Sequence, residues 1–144
     1  MSRDQGFCKI VADDESRTVS KFIVEGLGIP DDEVDEFCTI GFVIDKSIVG
    51  GIMFEGNPSK SNLWLNIFTT NQRWCCKRVI KEVFSFAFVI LKVNRLSIMV
   101  NSDNKKSFNF VQRLGFKKEG RLRCYRNGKD VYILGMLKKE CKYL

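Results

Sequence analysis

The segment Asn104-Lys-Lys-Ser107-Phe-Asn-Phe110-Val111-Gln-Arg-Leu114-Gly115-Phe116-Lys-Lys-Glu119-Gly120 constrains the fold more than any other part of the chain. Ser107, Phe110, Val111 and Leu114 recur at spacings of three and four, so they share one helical face. Gly115 can take the left-handed conformation that ends a helix, and Phe116 can seal that end against the body. The segment reads as a short amphipathic helix stopped by glycine and followed at once by a strand. On periodicity alone it is a capped core helix.

The elements around it follow from the same rules. Phe7 to Val11 reads as a first strand. Asp13-Asp14-Glu15-Ser16 offers oxygen acceptors to the free amides of a helix start. Val19, Phe22, Ile23 and Leu27 give that helix its apolar stripe, and Gly28 stops it. Ile29-Pro30-Asp31-Asp32 is a turn, and the acidic stretch to Glu36 is a loop or a short helix. Three apolar runs then follow, Cys38–Ile44, Ser47–Phe54 and Leu63–Thr69, separated by Asp45-Lys46 and Gly56-Asn57-Pro58-Ser59. That pattern predicts an antiparallel meander. Gly50-Gly51 inside the second run implies a bulge or a close backbone approach.

Arg73 to Leu91 is the longest helical stretch, with Val79, Val83, Phe86, Ala87, Ile90 and Leu91 as its apolar positions. Arg95–Val100 is a strand with Leu96, Ile98 and Val100 on one side. Gly120–Arg126 and Asp130–Leu137 flank Asn127-Gly128, a strong hairpin signal because both residues tolerate positive φ. The predicted order is β-α-β-β-β-α-β-α-β-β. The expected fold class is α+β, a mixed but mostly antiparallel sheet covered by helices. With 144 residues and no linker or repeat, it is read as one domain over 1–144.

Composition narrows the chemistry. The chain has no His, which excludes His-based triads, His metal sites and a histidine general base. Its six Cys have no zinc-like spacing, and Met1-Ser-Arg-Asp-Gln lacks the apolar core of a secretion signal. No metal is expected, and no apolar stretch is long enough to span a bilayer. The expected setting is reduced thiols in the cytoplasm, a host's cytoplasm if this Lys-, Asn- and Phe-rich chain comes from a virus. A net charge of +7 favours an anionic ligand or partner. Lys105, Lys106, Lys117, Lys118, Lys138 and Lys139 fall in pairs with no long polybasic run, so nucleic-acid binding is permitted but not indicated.

The order of elements and the opening segment together resemble the Gcn5-related N-acetyltransferase (GNAT) superfamily. The resemblance covers roughly Phe7 to Glu140 and is strongest from Arg73 onward. It rests on Phe84-Ser-Phe86-Ala-Phe88, Val93-Asn94-Arg95-Leu96, Asn101 through Asn104, Ser107, Leu114-Gly115-Phe116-Lys-Lys-Glu119-Gly120-Arg121-Leu122-Arg123, Asn127-Gly128-Lys129-Asp130-Val131-Tyr132 and Gly135-Met136-Leu137. It is most similar to the branch that acetylates ribosomal-protein N-termini. The resemblance implies acetyl-coenzyme A as donor and a primary amine of a macromolecule, a protein N-terminus or lysine, as acceptor. It implies that strand amides polarise the thioester carbonyl and that the pyrophosphate rests on a helix N-terminus. The residues so implicated are Ile67, Phe68, Thr69, Gln72, Arg73, Trp74, Cys75, Cys76, Lys77, Arg78, Asn104, Ser107 and Phe110 for the cofactor, with Ser107 also catalytic.

Several positions depart from the family's pattern. Its phosphate loop reads Gln/Arg-x-x-Gly-x-Gly/Ala, whereas Thr69-Thr70-Asn71-Gln72-Arg73-Trp74 aligned there has neither glycine. Trp74 stands at the second glycine position, where its ring either packs outward or under the loop and leaves the amides usable, or blocks the pyrophosphate. Arg73, Lys77 and Arg78 put cations where a helix dipole prefers anions, so they serve an anionic ligand or are simply solvated. The family's general-acid Tyr aligns with Val111. Ser107 either bonds the leaving sulfur or is a small packed residue. The branch's basic Glu aligns with Arg126, and Glu119 reads as a structural partner. Glu55, Tyr125 or a water are substitutes that no spacing supports. Cys75-Cys76 reads as two buried small residues rather than an acyl carrier, and Phe84, Phe86, Phe88, Phe108, Phe110 and Phe116 as core. The alternatives to an active enzyme are a binding module that keeps the fold and engages a protein partner, and acyl transfer to nucleic acid.

Overall fold

The computed structural model describes residues 7–144, so the reading of Met1–Gln5 lies outside the described residues. The elements are β1 (Lys9–Ala12), α1 (Thr18–Leu27), β2 (Glu36–Ile44), β3 (Ser47–Glu55), β4 (Asn62–Thr69), α2 (Lys77–Ser85), β5 (Arg95–Asn101), α3 (Lys105–Leu114), β6 (Lys117–Arg126) and β7 (Lys129–Leu137). This is the order read from the sequence, and the seven strands form one mixed sheet in an α+β fold. The chain divides into two compact units, one built from residues up to Gly56 with Leu65–Val83, the other from Asn57–Trp64 with Phe84–Leu144. No helix among the described residues is long and apolar enough to cross a membrane.

In the first unit β1, β2 and β3 pair antiparallel, with Lys9 opposite Val43 and Ile40 opposite Ile52. The two-residue turn between β2 and β3 is Asp45-Lys46, both at positive φ (50° and 66°). Helix α1 lays Val19, Ile23 and Val24 against Met53. This packing explains the glycine pair. A Cβ on Gly51 would stand 2.8 Å from Val19 Cγ1 and 2.7 Å from the Ile40 carbonyl. The register also slips beside Gly50, between Phe42 and Val43, so both readings of the pair hold. Gly28 ends α1 at φ 68° as expected. Leu27, however, is 39% exposed, and Val24 is the residue that packs in the core near this end of the helix.

The start of α1 is held by carboxylates that reach back from the preceding loop. Asp14 Oδ1 accepts the Thr18 amide at 2.9 Å, and Asp13 accepts the Val19 and Ser20 amides at 2.8 and 3.1 Å. The Ser20 hydroxyl lies 2.6 Å from both Asp13 Oδ2 and Glu36 Oε2, and Thr39 donates to Glu36 at 2.5 Å. Arg17, at φ 57°, pairs with Glu36 and Asp31. The expected cap is present, but as a network joining α1 to β2.

In the second unit β5 pairs with β7 from Arg95–Leu137 to Asn101–Val131, and β7 pairs with β6. Asn127 and Gly128 make the hairpin turn at φ 51° and 76°. Gly115 caps α3 at φ 115°, and Phe116 is 2% exposed, as the opening segment demands. Leu96, Ile98, Val100, Val111, Leu114, Leu134 and Met136 fill the core. Phe84 contacts Phe88, Phe116 and Tyr143. Phe86, Phe108 and Phe110 are only half-buried, which corrects the expectation that all six rings are core.

The single helix expected over Arg73–Leu91 is three pieces. Gln72–Trp74 is a 3-10 turn, α2 begins at Lys77, and Phe86–Ile90 is a π turn. The wider π turn rotates later residues away from the α-helical stripe. Ala87 and Phe88 are therefore fully buried, while Ile90 is 66% exposed.

Burial works against the charges of Asp13 and Glu36, but their hydrogen bonds outweigh it and hold both below their ordinary values of 3.8 and 4.5. A depressed carboxylate contributes stability that is complete above its unfolded pKa and lost as pH falls through the folded one. Urea unfolding of Asp13→Asn is expected to give a clear loss of stability at pH 7 and a smaller loss near pH 3. An equal loss at both would mean that the charge is irrelevant.

Candidate functional site

The connection from β4 to α2, in the first unit, is tied down by side chains where the resembled family uses glycine. The Thr70 amide and the Thr69 hydroxyl donate to the Val49 carbonyl at 2.7 and 3.0 Å, fixing the end of β4 to β3. Asn71 Oδ1 accepts the Arg73 amide at 3.0 Å, an Asx-type closure. The Cys75 amide donates to the Gln72 carbonyl and the Cys76 amide to the Trp74 carbonyl, each at 3.0 Å. The first helical bond of α2 is Ile80 N–H to the Cys76 carbonyl at 3.0 Å.

Two consequences follow. The amides of Arg73, Cys75 and Cys76 are engaged inside the turn. Those of Lys77, Arg78 and Val79 precede the first helical bond and have no partner within α2. The free-amide start of the helix therefore lies at Lys77, four residues later than the sequence reading placed the beginning of the helix. Trp74 is 3% exposed and stacks on Phe42, ring centroids 4.5 Å apart and planes 4° from parallel. Of the two readings, the indole takes the one that packs it under the turn.

The side chains here divide sharply. Gln72, Arg73, Cys76 and Lys77 are exposed and Cys75 is half-buried, so the pair of cysteines is not the buried pair expected. Arg78 is committed elsewhere. Its guanidinium donates to the Cys8 carbonyl, lies 4.2 Å from the Phe7 ring centroid and pairs with Glu82 at 3.4 Å. Ile67 and Phe68 are half-buried. The Phe68 ring meets Phe22 edge-on at 5.4 Å and occupies the space a side chain on Gly26 would need, so only its backbone is presented along β4. Glu55 is held by the Asn66 amide at 2.6 Å and the Asp35 N–H at 2.9 Å.

The second unit carries the remaining candidates. Asn104 is exposed and caps α3 by accepting the Ser107 amide at 3.2 Å. Ser107 is half-buried, and its hydroxyl has no hydrogen-bond partner among the described residues. Phe110 is half-buried on the same helix, and Val111 is 3% exposed, a packed position with no room for an acid. Glu119 forms a two-pronged ion pair with Arg95, which holds its carboxyl below the usual range; it is a structural partner, as expected. Arg126 donates to Asn101 Oδ1 at 3.3 Å, and Tyr125 is 55% exposed. No cluster of three metal-ligating side chains occurs among the described residues. The sequence reading missed Thr69, Thr70 and Asn71 as the residues that shape the turn. Their signal was present, since Thr and Asn are the types that close turns with side-chain oxygens.

No protein-family model matches the chain. It is 34% identical over 65 residues to an uncharacterized N-acetyltransferase, p20, of Bacillus licheniformis, covering 42% of this chain and 36% of that protein. It is 29% identical over 100 residues to the acetyltransferase PseH of Campylobacter jejuni, covering 69% and 60%. The chain thus spans less than two thirds of the length of either relative. Among solved structures, a mutant of the spermidine N-acetyltransferase SpeG from Vibrio cholerae superposes with a TM-score of 0.73 at 15% identity, covering 95% of this chain and 96% of that one. The spermidine/spermine N-acetyltransferase SpeG from the same organism, in complex with manganese ions, gives 0.70 at 16% identity, covering 92% and 93%. At that identity the likeness establishes the fold. The fold implied by the sequence resemblance is the one observed, while the ribosomal-protein branch is not among these names.

Trp74→Gly tests which way the indole works. Removing a buried aromatic should cost about 3–5 kcal/mol in denaturant unfolding. An unchanged midpoint would show that the ring lies outside the core.

Proposed function

We propose that the chain is an acetyl-coenzyme A-dependent N-acetyltransferase, with residues 1–144 forming one domain of that kind. The observation that carries this reading is the turn before α2. Three amides at the start of the helix lack helical partners, the first of them belongs to Lys77, whose side chain is exposed, and exposed Arg73 lies in the preceding turn. Unsatisfied amides and cations together suit a pyrophosphate. Acetyl-coenzyme A supplies the activated thioester. Gln72, Arg73 and Lys77 are assigned to its phosphates, the backbone of Ile67–Thr69 along β4 to its pantetheine arm, and Trp74 to supporting the turn from below. For the second unit, taken by itself, the sequence resemblance implies Phe110 as a cofactor contact and Ser107 as the donor to the leaving thiolate, and Asn104 holds the start of α3. The two relatives named as acetyltransferases support the same reading.

The acceptor is proposed to be a primary amine. The sequence resemblance points to protein N-termini or lysine, whereas the solved neighbours are named for spermidine. A chain of net charge +7 repels a free polycation more than it repels an amine carried on a neutral or acidic molecule. That favours the second kind of acceptor, whether macromolecule or small molecule. A second reading, a binding module that retains the fold, is favoured by the packed Val111 at the general-acid position.

Saturating acetyl-coenzyme A is expected to raise Tm, by the equivalent of about 2.7 kcal/mol at a hundredfold excess over Kd. Lys77→Glu should weaken binding by about tenfold, the scale of a solvated charge contact reversed. Ser107→Ala should lower kcat by about 100-fold at nearly unchanged cofactor affinity. No Tm shift at millimolar cofactor would end the enzyme reading. Binding without thiol release across proteins, peptides and small amines would leave the binding module.

The pH dependence provides a separate check. Glu55 and Glu119 are held by fixed hydrogen bonds and there is no His, so neither carboxylate is free to take a proton from the acceptor. The rate should rise with pH along the titration of the acceptor's own amine. A profile that follows one protein pKa regardless of acceptor would reveal a base not identified among these residues.

A further inference from the structure

The second unit contains a cleft that the acetyl-transfer reading does not use. It has a volume of about 270 Å³ and is lined by Ser102, Lys105, Phe108, Asn109 and Tyr132, where the start of α3 meets β7. None of these residues belongs to the proposed donor site. The size lies just below the ~300–1,000 Å³ range of drug-sized ligand sites, which suits a small occupant no larger than about a single nucleotide.

Its chemistry is two-sided. Phe108 and Tyr132 form an aromatic wall, centroids 5.1 Å apart and tilted by 53°. Lys118 Nζ lies 4.1 Å from the Tyr132 centroid, and the Arg121 guanidinium carbon 5.9 Å. The acids beside the cleft are already neutralised, Asp130 by Arg121 and Asp103 by Lys129 at 2.7 Å. Lys105 and Lys118 have no carboxylate partner among the described residues. Two ammonium groups without a carboxylate partner, one of them over the Tyr132 ring, thus accompany an aromatic surface, with the Ser102 hydroxyl and the exposed Asn109 amide able to make hydrogen bonds. That combination complements a flat ring carrying a phosphate.

The geometry points to a second binding site, for a nucleoside monophosphate, in the cleft formed by Ser102, Lys105, Phe108, Asn109 and Tyr132. The base lies along the aromatic wall and the phosphate is held by Lys105 and Lys118. This site does not depend on the acetyltransferase reading.

The test uses adenosine 5′-monophosphate on the ¹⁵N-labelled full chain, with saturating coenzyme A present to occupy the donor site, and adenosine and inorganic phosphate as controls. The nucleotide should shift the amide signals of Ser102, Lys105, Phe108, Asn109 and Tyr132, and each control should bind more weakly. Lys105→Gln with Lys118→Gln, both exposed positions, should weaken the nucleotide by about tenfold, as expected for two solvated charge contacts. The double variant should leave coenzyme A affinity unchanged. The proposal is overturned if millimolar nucleotide moves none of these signals, if it shifts only Lys77–Val79 and coenzyme A abolishes the effect, or if inorganic phosphate binds as well as the nucleotide.

Discussion

The stack of Trp74 on Phe42 is the contact on which the first unit's candidate site depends. Both side chains are almost wholly removed from solvent, and burying a ring of this size stabilises by roughly 1.5–3 kcal/mol before any stacking term. The contact draws a turn that would otherwise be a mobile surface loop down onto β2. With the indole inside, the chain is forced through the tight 3-10 turn Gln72–Trp74, and α2 cannot begin until Lys77. The same ring that looks like an obstruction in the sequence is what presents the helix start.

A glycine-rich phosphate turn works because the backbone can approach a ligand closely and point several amides at it. This turn has no glycine and satisfies its amides internally through Asn71 and the Gln72 and Trp74 carbonyls. The price is fewer backbone donors, and the remaining ones are confined to the first turn of α2. On the proposed reading, side-chain cations at Arg73 and Lys77 compensate, because an ammonium or guanidinium reaches further than an amide and tolerates a less exact approach. Arg78 shows why counting cations along a sequence is insufficient. It is as basic as its neighbours, yet its guanidinium is turned to Cys8 and Phe7.

The sequence was most legible where one residue type has one physical use. Gly28, Gly115 and Asn127-Gly128 sit at the positive φ values their spacing demanded, and the alternation in β5 put Leu96, Ile98 and Val100 in the core. The element order and the α+β class followed from those breaks. It was least legible where a choice depends on a distant partner. Periodicity extends an α-helical stripe through Ile90, because nothing local announces the π turn that exposes it. Trp74 could not be oriented without Phe42, thirty-two positions away in the chain, and Cys76 could not be read as exposed without knowing where α2 starts. For the candidate site, the residue types were visible, but which amides and cations remained uncommitted was not.

The electrostatics show a consistent division of labour. Carboxylates that shape the fold are consumed locally. Asp13 and Glu36 tie α1 to β2, Glu119 binds Arg95, Asp130 binds Arg121 and the Cys124 amide, and Glu140 binds Lys117; each of these acids is held below its ordinary pKa. The acids therefore stay ionised and paired at neutral pH, and the +7 surplus falls to side chains such as Lys77, Lys105 and Lys118, which have no such partner among the described residues. Unpaired surface cations are worth little to stability but a good deal to association, because they raise the local concentration of anions over a distance of about 8 Å at physiological salt. A chain that spends its acids on architecture and leaves its lysines open is suited to phosphorylated ligands. That bias should fade as salt rises, whereas the core packing around Trp74 should not.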